Sequence, residues 1–110
     1  MDKEVIEKVL KFRDDRNWKQ FHNGKDLAIS MSLEVNELLE IFQWSGNDLF
    51  CEDKIEEIKE ELADVLIYSV LLADRYNLDI KDIILKKLEK NNIKYPLEKS
   101  KDKKDKYDQL

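Results

Sequence analysis

The chain has 110 residues, of which 41% are charged and 42% hydrophobic, and its formal net charge at neutral pH is −5. This length predicts one domain, and the acidic balance excludes a general affinity for nucleic-acid polymers or anionic membranes. One cysteine excludes an internal disulfide and a multi-cysteine zinc site, while two glycines and one proline are too few for a sheet of turn-linked strands.

The first residues, MDKEVIEKVLKF, are charged from the second position, which is unlike a signal peptide. No apolar run approaches the length of a membrane span. These observations predict a soluble cytoplasmic protein.

Hydrophobic periodicity predicts two helices in the first half of the chain. The first covers about residues 3–16 with Asp2 as its N-cap, and the second runs from an N-cap at Asp26 to about Trp44. Between them, residues 17–26 lose the periodicity and are predicted to form a loop. This loop carries several aromatic side chains.

A third helix over about residues 54–76 has the strongest pattern. Its predicted core stripe follows a spacing of three and four residues and comprises Ile58, Leu62, Val65, Ser69, Leu72 and Tyr76. Between Leu62 and Ala73 the helix is apolar on nearly every side, which one small domain can hardly cover. A second subunit is therefore predicted to pack on it.

A fourth helix over about residues 79–92 is predicted to bury Ile80, Ile83, Ile84 and Leu88. The expected fold is all-α, with a four-helix bundle-like protomer that forms a dimer or a dimer of dimers. The predicted domain covers residues 1–98, and residues 99–110, rich in lysine and aspartate, are predicted to be a flexible tail.

Two acidic couplets stand inside the second and third helices. Glu34 and Glu37 form the first, and Glu61 and Asp64 form the second, each with a spacing of i and i+3. Such spacing puts two like charges on one helical face, where they repel, and two facing couplets favour a bound cation. The alternative is that all four acids lie on solvated faces and pair with nearby lysines.

Oxygen-only ligands suit Mg²⁺, with Mn²⁺ also possible, whereas a di-iron site would need histidine ligands that this chain lacks on its helices. Mg²⁺ typically keeps waters and binds substrate phosphates. The couplets therefore predict a phosphorylated substrate and attack by a metal-activated water.

Further segments strengthen the pattern and suggest a family. They are the run FRDDRNWKQFH at residues 12–22, the FQW triplet at 42–44, the run EELADVLIY at 60–68 and the KYP triplet at 94–96. With the two couplets, they resemble the all-α nucleoside triphosphate pyrophosphohydrolases, the MazG-like group, and more narrowly its dCTP pyrophosphatase branch. The resemblance covers about residues 5–96.

The resemblance implies hydrolysis of a nucleoside triphosphate, dCTP or a related or modified one, to a monophosphate and pyrophosphate, as in nucleotide-pool sanitation. It implies that all four couplet acids hold Mg²⁺, and Glu37 and Glu61 are the candidates for the catalytic carboxylate. The residues expected to bind the nucleotide are Trp18, His22, Trp44, Tyr68, Lys87 and Asn91. Helical dimers or tetramers are usual in this group. The run Asn23-Gly24-Lys25-Asp26 departs from the pattern of the group, which leaves the choice of base open.

Two alternatives remain at this point. One is a non-catalytic helical oligomer with a structural cation or with solvated acidic faces. The other is a phosphohydrolase that releases single phosphates.

Overall fold

The computed structural model describes residues 1–105 and residue 108, and every regular element within them is helical. The five α-helices are α1 (Lys3–Asp15), α2 (Gly24–Glu40), α3 (Ile55–Arg75), α4 (Ile80–Lys94) and α5 (Leu97–Ser100), and two 3-10 turns cover Trp18–Phe21 and Glu52–Lys54. The prediction of an all-α protein is confirmed. No helix in this part of the chain has the length and apolar character that a membrane span requires.

The chain divides into two compact units, residues 1–77 and residues 78–110. The first contains α1, α2 and α3, with α2 packed along α3 and α1 packed on α3 less extensively. The second contains α4 and α5. The domain boundary at residue 98 and the flexible tail stay predictions, and four residues of that tail (106, 107, 109 and 110) lie outside the described part.

Helix α2 begins three residues earlier than predicted because Asn23, not Asp26, is its N-cap. The side-chain Oδ1 of Asn23 accepts a hydrogen bond from the backbone N–H of Asp26 at 2.8 Å, and its Nδ2 donates to the Asp26 carboxylate at 2.8 Å. Asp26 therefore occupies the third helical position, as in a capping box. The predicted end at Trp44 is also too late, because the chain leaves the α-helix after Glu40 and continues as a hydrogen-bonded turn.

The segment between α1 and α2 is more ordered than the predicted loop. A 3-10 turn covers Trp18–Phe21, and it follows Asn17, whose φ of 53° lies in the left-handed region that asparagine tolerates. Asp2 caps α1 as predicted, because its side chain accepts a hydrogen bond from the Glu4 N–H at 2.7 Å.

The most buried part of α3 is its second half, and the predicted core stripe is wrong at two of its six positions. Leu62 is 46% exposed and Tyr76 is 59% exposed, whereas the buried hydrophobic residues are Leu27, Ile41, Cys51, Val70, Leu71 and Ala73. Because α1 and α2 both pack on α3, they bury more than one side of it. On α4, the prediction that Ile83, Ile84 and Leu88 are buried is also wrong, since each is at least 40% exposed.

Candidate active site

Helices α2 and α3 run antiparallel, and this brings the two acidic couplets together. The Ser69 hydroxyl donates to the Met31 sulfur at 3.3 Å, and the Glu37 side chain contacts Glu61. Moving forward along α2 from Met31 to Glu37 thus corresponds to moving back along α3 from Ser69 to Glu61. The two couplets face each other as predicted.

Three carboxylates form the centre of this acidic group. Glu34, Glu61 and Asp64, all half-buried, each offer one oxygen atom, and these atoms lie within 4.8 Å of one another. The Oε2 atoms of Glu34 and Glu61 are buried and have no hydrogen-bond partner. Buried acceptors without a partner are costly, so the arrangement favours a bound cation or a proton.

The pKa values of two of these groups reflect the crowding. The hydrogen bond with Glu37 is the largest cause that raises the pKa of Glu61 to about 7, followed by burial and by the charges of Glu37, Asp64 and Glu34. Burial is the main cause that raises the pKa of Glu34, and Glu37 and Asp64 raise it further. Without a cation, Glu61 therefore stays protonated to a higher pH than an ordinary glutamate does.

The donor set fits a hard divalent cation. It consists of carboxylate oxygens, as Mg²⁺ and Mn²⁺ prefer, and it contains no histidine or cysteine. The two oxygens without partners are the atoms that such an ion would satisfy. Glu37 contacts both Glu34 and Glu61, so it lies close enough to complete the set.

A cavity of about 710 Å³ opens beside the acidic group. Its walls are largely apolar side chains of α1 and α3, and Glu34 and Asp64 form part of its lining. Three predicted nucleotide-binding residues, Trp18, His22 and Tyr68, also line it. One cavity thus joins a cation site to aromatic side chains that can stack on a base.

His22 is one of the residues that line this cavity, and one of its ring nitrogens has no hydrogen-bond partner. Its Nδ1 is buried and makes no hydrogen bond. Burial is the main cause that lowers the pKa of His22, and the positive charge of Arg13 lowers it further. Both effects favour the neutral imidazole, which can donate one hydrogen bond and accept another.

The other three predicted substrate residues are Trp44, Lys87 and Asn91. Trp44 is 88% exposed and does not line the cavity. Lys87, which is exposed, and Asn91, which is half-buried, lie one turn apart on α4 in the second compact unit. Their roles stay predictions.

Sequence reasoning missed an ion pair between Asp74 and Arg13, a buried residue of the cavity lining. Arg13 is 4% exposed, and its Nη1 donates to Asp74 Oδ2 at 2.6 Å. Burial alone would lower the pKa of Arg13, but the hydrogen bonds to Asp14 and Asp74 outweigh it and raise the pKa above its ordinary value. The sequence did offer one indication of this burial. Arg13 follows Val9 by four residues, so it lies on the apolar face of α1 although it is charged.

The comparisons with known proteins agree with this architecture. Residues 29–110 match the model of the MazG-like family. In alignments of 104 positions that cover 90% of this chain, the sequence is 36% identical to proteins from Mus musculus and Homo sapiens named dCTP pyrophosphatase 1. The crystal structure of a pyrophosphatase from Archaeoglobus fulgidus superposes with a TM-score of 0.72 at 41% identity, covering 84% of this chain and 90% of that one.

An all-helical chain with facing acidic couplets on antiparallel helices has the features expected of this group, and the chain belongs to the MazG-like family. It spans 61% of the length of the two dCTP pyrophosphatases that it matches.

Proposed function

We propose that this protein hydrolyses a nucleoside triphosphate, dCTP or a related or modified one, to the monophosphate and pyrophosphate. The observation that carries the proposal is the shared lining of the cavity, in which Glu34 and Asp64 of the cation site lie with Trp18 and His22. A nucleoside triphosphate needs a cation beside its phosphates and an aromatic surface for its base. The names of the relatives, dCTP pyrophosphatase 1 and pyrophosphatase, support the same reaction.

The acidic group would hold Mg²⁺, with Mn²⁺ as a second candidate. Glu34, Glu61 and Asp64 would supply the ligands, and Glu37 would complete the set. When bound, the ion supplies charge neutralisation at the phosphates and lowers the pKa of a water at the site.

The carboxylates of the chain then orient the attacking water and receive its proton. The water oxygen forms a bond to phosphorus, the bond between the α and β phosphates breaks, and pyrophosphate leaves. Glu37 and Glu61 are the candidate proton acceptors, since they contact each other within the acidic group and each has a second carboxylate oxygen.

Aromatic and polar side chains would bind the nucleoside. Trp18 is 45% exposed on the cavity wall and can stack on a base, while His22 and Tyr68 can donate or accept hydrogen bonds there. Nucleotide binding by Trp44, Lys87 and Asn91 is proposed from the family resemblance. A base contact made from Trp44 requires a neighbour that covers its exposed side chain.

Self-association is part of the proposal. Leu62, Leu66 and Ile67 on α3 are each at least 39% exposed, as are Leu33 and Leu39 on α2. Such apolar exposure on a small chain favours a homodimer or a homotetramer. Sedimentation velocity at micromolar concentration should show one of these, and a monomer at all concentrations would contradict it.

A panel of triphosphates tests the reaction. Purified protein with Mg²⁺ should release pyrophosphate from at least one natural or modified deoxynucleoside triphosphate, and a chelator should stop it. Release of phosphate without pyrophosphate would indicate a phosphohydrolase of another type. No turnover of any member of the panel would favour a non-catalytic helical oligomer.

A further inference from the structure

Two consecutive residues of α3 bind the two ends of one aromatic segment. Asp74 accepts a hydrogen bond from Arg13 at 2.6 Å, and Arg75 Nε donates to the backbone carbonyl of His22 at 2.8 Å. The segment from residue 13 to residue 22 contains Trp18. The end of one helix therefore holds both ends of the segment that supplies Trp18 and His22 to the cavity.

Apolar packing alone does not fix this segment. Phe12, Trp18 and Phe21 are 51%, 45% and 66% exposed. Their aromatic contacts are local: the rings of Phe12 and Trp18 meet edge to face at 5.8 Å, and the Arg16 guanidinium lies 3.7 Å from the Phe12 ring centroid. The two bonds to α3 are long-range, joining residues 61 and 53 positions apart in sequence.

The two bonds lie away from the acidic group, and their partners Arg13 and His22 both line the cavity. Asp74 follows Asp64 by ten residues on α3, which corresponds to about 15 Å along the helix axis. Base and phosphates lie at opposite ends of a nucleoside triphosphate. If the phosphates bind near Asp64, the base lies toward Asp74.

We propose that Asp74 and Arg75 are positioning residues that hold Trp18 and His22 at the base-binding end of the cavity. This inference rests on the proposed function. Loss of either residue should weaken binding of the base and leave the interaction of the phosphates with the acidic group unchanged. The neutral state of His22, which burial and then Arg13 favour by lowering its pKa, agrees with a contact to a base rather than to a phosphate.

The variants remove one bond at a time. Arg75 is exposed, so Arg75→Met removes the bond to His22 with little risk to folding, and Arg75→Lys keeps a donor. Asp74→Ala removes the bond to Arg13, and its thermal unfolding is measured first. Lys59→Met is the matched control, because it removes an exposed ion pair of the same helix, 2.9 Å from Glu56.

The expected result separates the base from the phosphates. Loss of a charge-assisted hydrogen bond predicts that KM for the nucleoside triphosphate rises about tenfold in Arg75→Met and in Asp74→Ala. Turnover at saturation and the inhibition constant of inorganic triphosphate, which has no base, should stay at wild-type values. Arg75→Lys should restore most of the affinity, and Lys59→Met should match wild type. An equal rise in the inhibition constant of inorganic triphosphate, or a fall in kcat at constant KM, would overturn the inference.

Hydrogen exchange distinguishes failure of this inference from failure of the proposed function. If the wild type hydrolyses no triphosphate, the proposed function fails, but the two bonds can still be tested in nucleotide-free protein. Amides of residues 13–22 should exchange faster in Arg75→Met than in Lys59→Met. Equal exchange in the two variants would overturn the inference independently of any activity.

Discussion

The side chains of Glu37 on α2 and Glu61 on α3 contact each other, and this contact is the largest cause that raises the pKa of Glu61 to about 7. Two carboxylates can share such a position only while a proton or a cation lies between them or beside them. The stability of the protein and its affinity for a metal ion should therefore depend on pH over the same range.

The first prediction concerns the metal-free protein. Below pH 4.5, the ordinary pKa of a glutamate, Glu61 is protonated in both the folded and the unfolded states. Between pH 4.5 and about 7, Glu61 ionises in the unfolded chain but stays protonated in the folded protein. Because the folded-state pKa is raised, the free energy of unfolding should fall as the pH rises through this window and then level off. Chemical denaturation of wild type and Glu61→Gln from pH 4 to pH 8, with a chelator present, checks this. A pH dependence that is the same in both proteins would contradict it.

The second prediction is that Mg²⁺ restores the stability that the metal-free protein loses as the pH rises. A cation that binds only the folded protein raises the melting temperature with its concentration, and it must displace the protons of the acidic group. Mg²⁺ should therefore stabilise the wild type more at pH 8 than at pH 5, and Glu34→Gln should lose most of this effect.

Glu56→Gln is the matched control for that measurement, since Glu56 is exposed on α3 and pairs with Lys59 rather than with the acidic group. It should keep the full response to Mg²⁺. An equal response in Glu34→Gln and Glu56→Gln would place the ion elsewhere.

The third prediction tests the N-cap of α2. Asn23→Ala removes the acceptor for the Asp26 N–H, so the free energy of unfolding should fall by about 1 kcal/mol. Asn36→Ala, in the exposed middle of the same helix, should be neutral or slightly stabilising because alanine favours helix. Urea denaturation of both variants provides the comparison. An unchanged midpoint for Asn23→Ala would remove Asn23 as the cap.

The fourth prediction concerns the close approach of Gly24 and Tyr76. A Cβ atom added at Gly24 would lie 1.8 Å from the Tyr76 hydroxyl oxygen and 2.8 Å from the ring carbon that carries it, so one of the two residues must shift. Gly24→Ala should therefore be less favourable in the wild-type background, where the exposed Tyr76 side chain must move away, than in a background without that side chain. In a Tyr76→Ala background the same change should raise stability, by up to about 1 kcal/mol, because only the helix propensity of alanine remains. A double-mutant cycle measures the difference, and additive effects would show that the two residues do not interact.

The sequence was sufficient for those parts of the molecule that follow from one helix at a time. Helical periodicity located all four long helices, and the spacing of Glu61 and Asp64 placed both on one face of α3. It failed where two residues were both candidates for one position. Asn23 and Asp26 are both good caps, and only the reciprocal hydrogen bonds between them show that Asn23 is the cap.

The ion pair between Arg13 and Asp74 was missed for a related reason. A charged residue such as Arg13 is ordinarily assigned to solvent, and only its partner Asp74, on another helix, makes burial favourable. Such a pair cannot be found from either helix alone. In contrast, the antiparallel packing of α2 and α3 brings the couplets together, because each couplet already occupied one face.

The central claim is that the facing carboxylates of α2 and α3 form the centre at which a nucleoside triphosphate is cleaved. The most direct measurement is the product stoichiometry with dCTP and Mg²⁺ for wild type, Glu61→Gln and the control Glu56→Gln. Wild type and Glu56→Gln should yield one pyrophosphate for each monophosphate, and Glu61→Gln should be slower by a factor on the order of 10² or more. Equal rates for Glu61→Gln and wild type, or phosphate as the only released product, would contradict the claim.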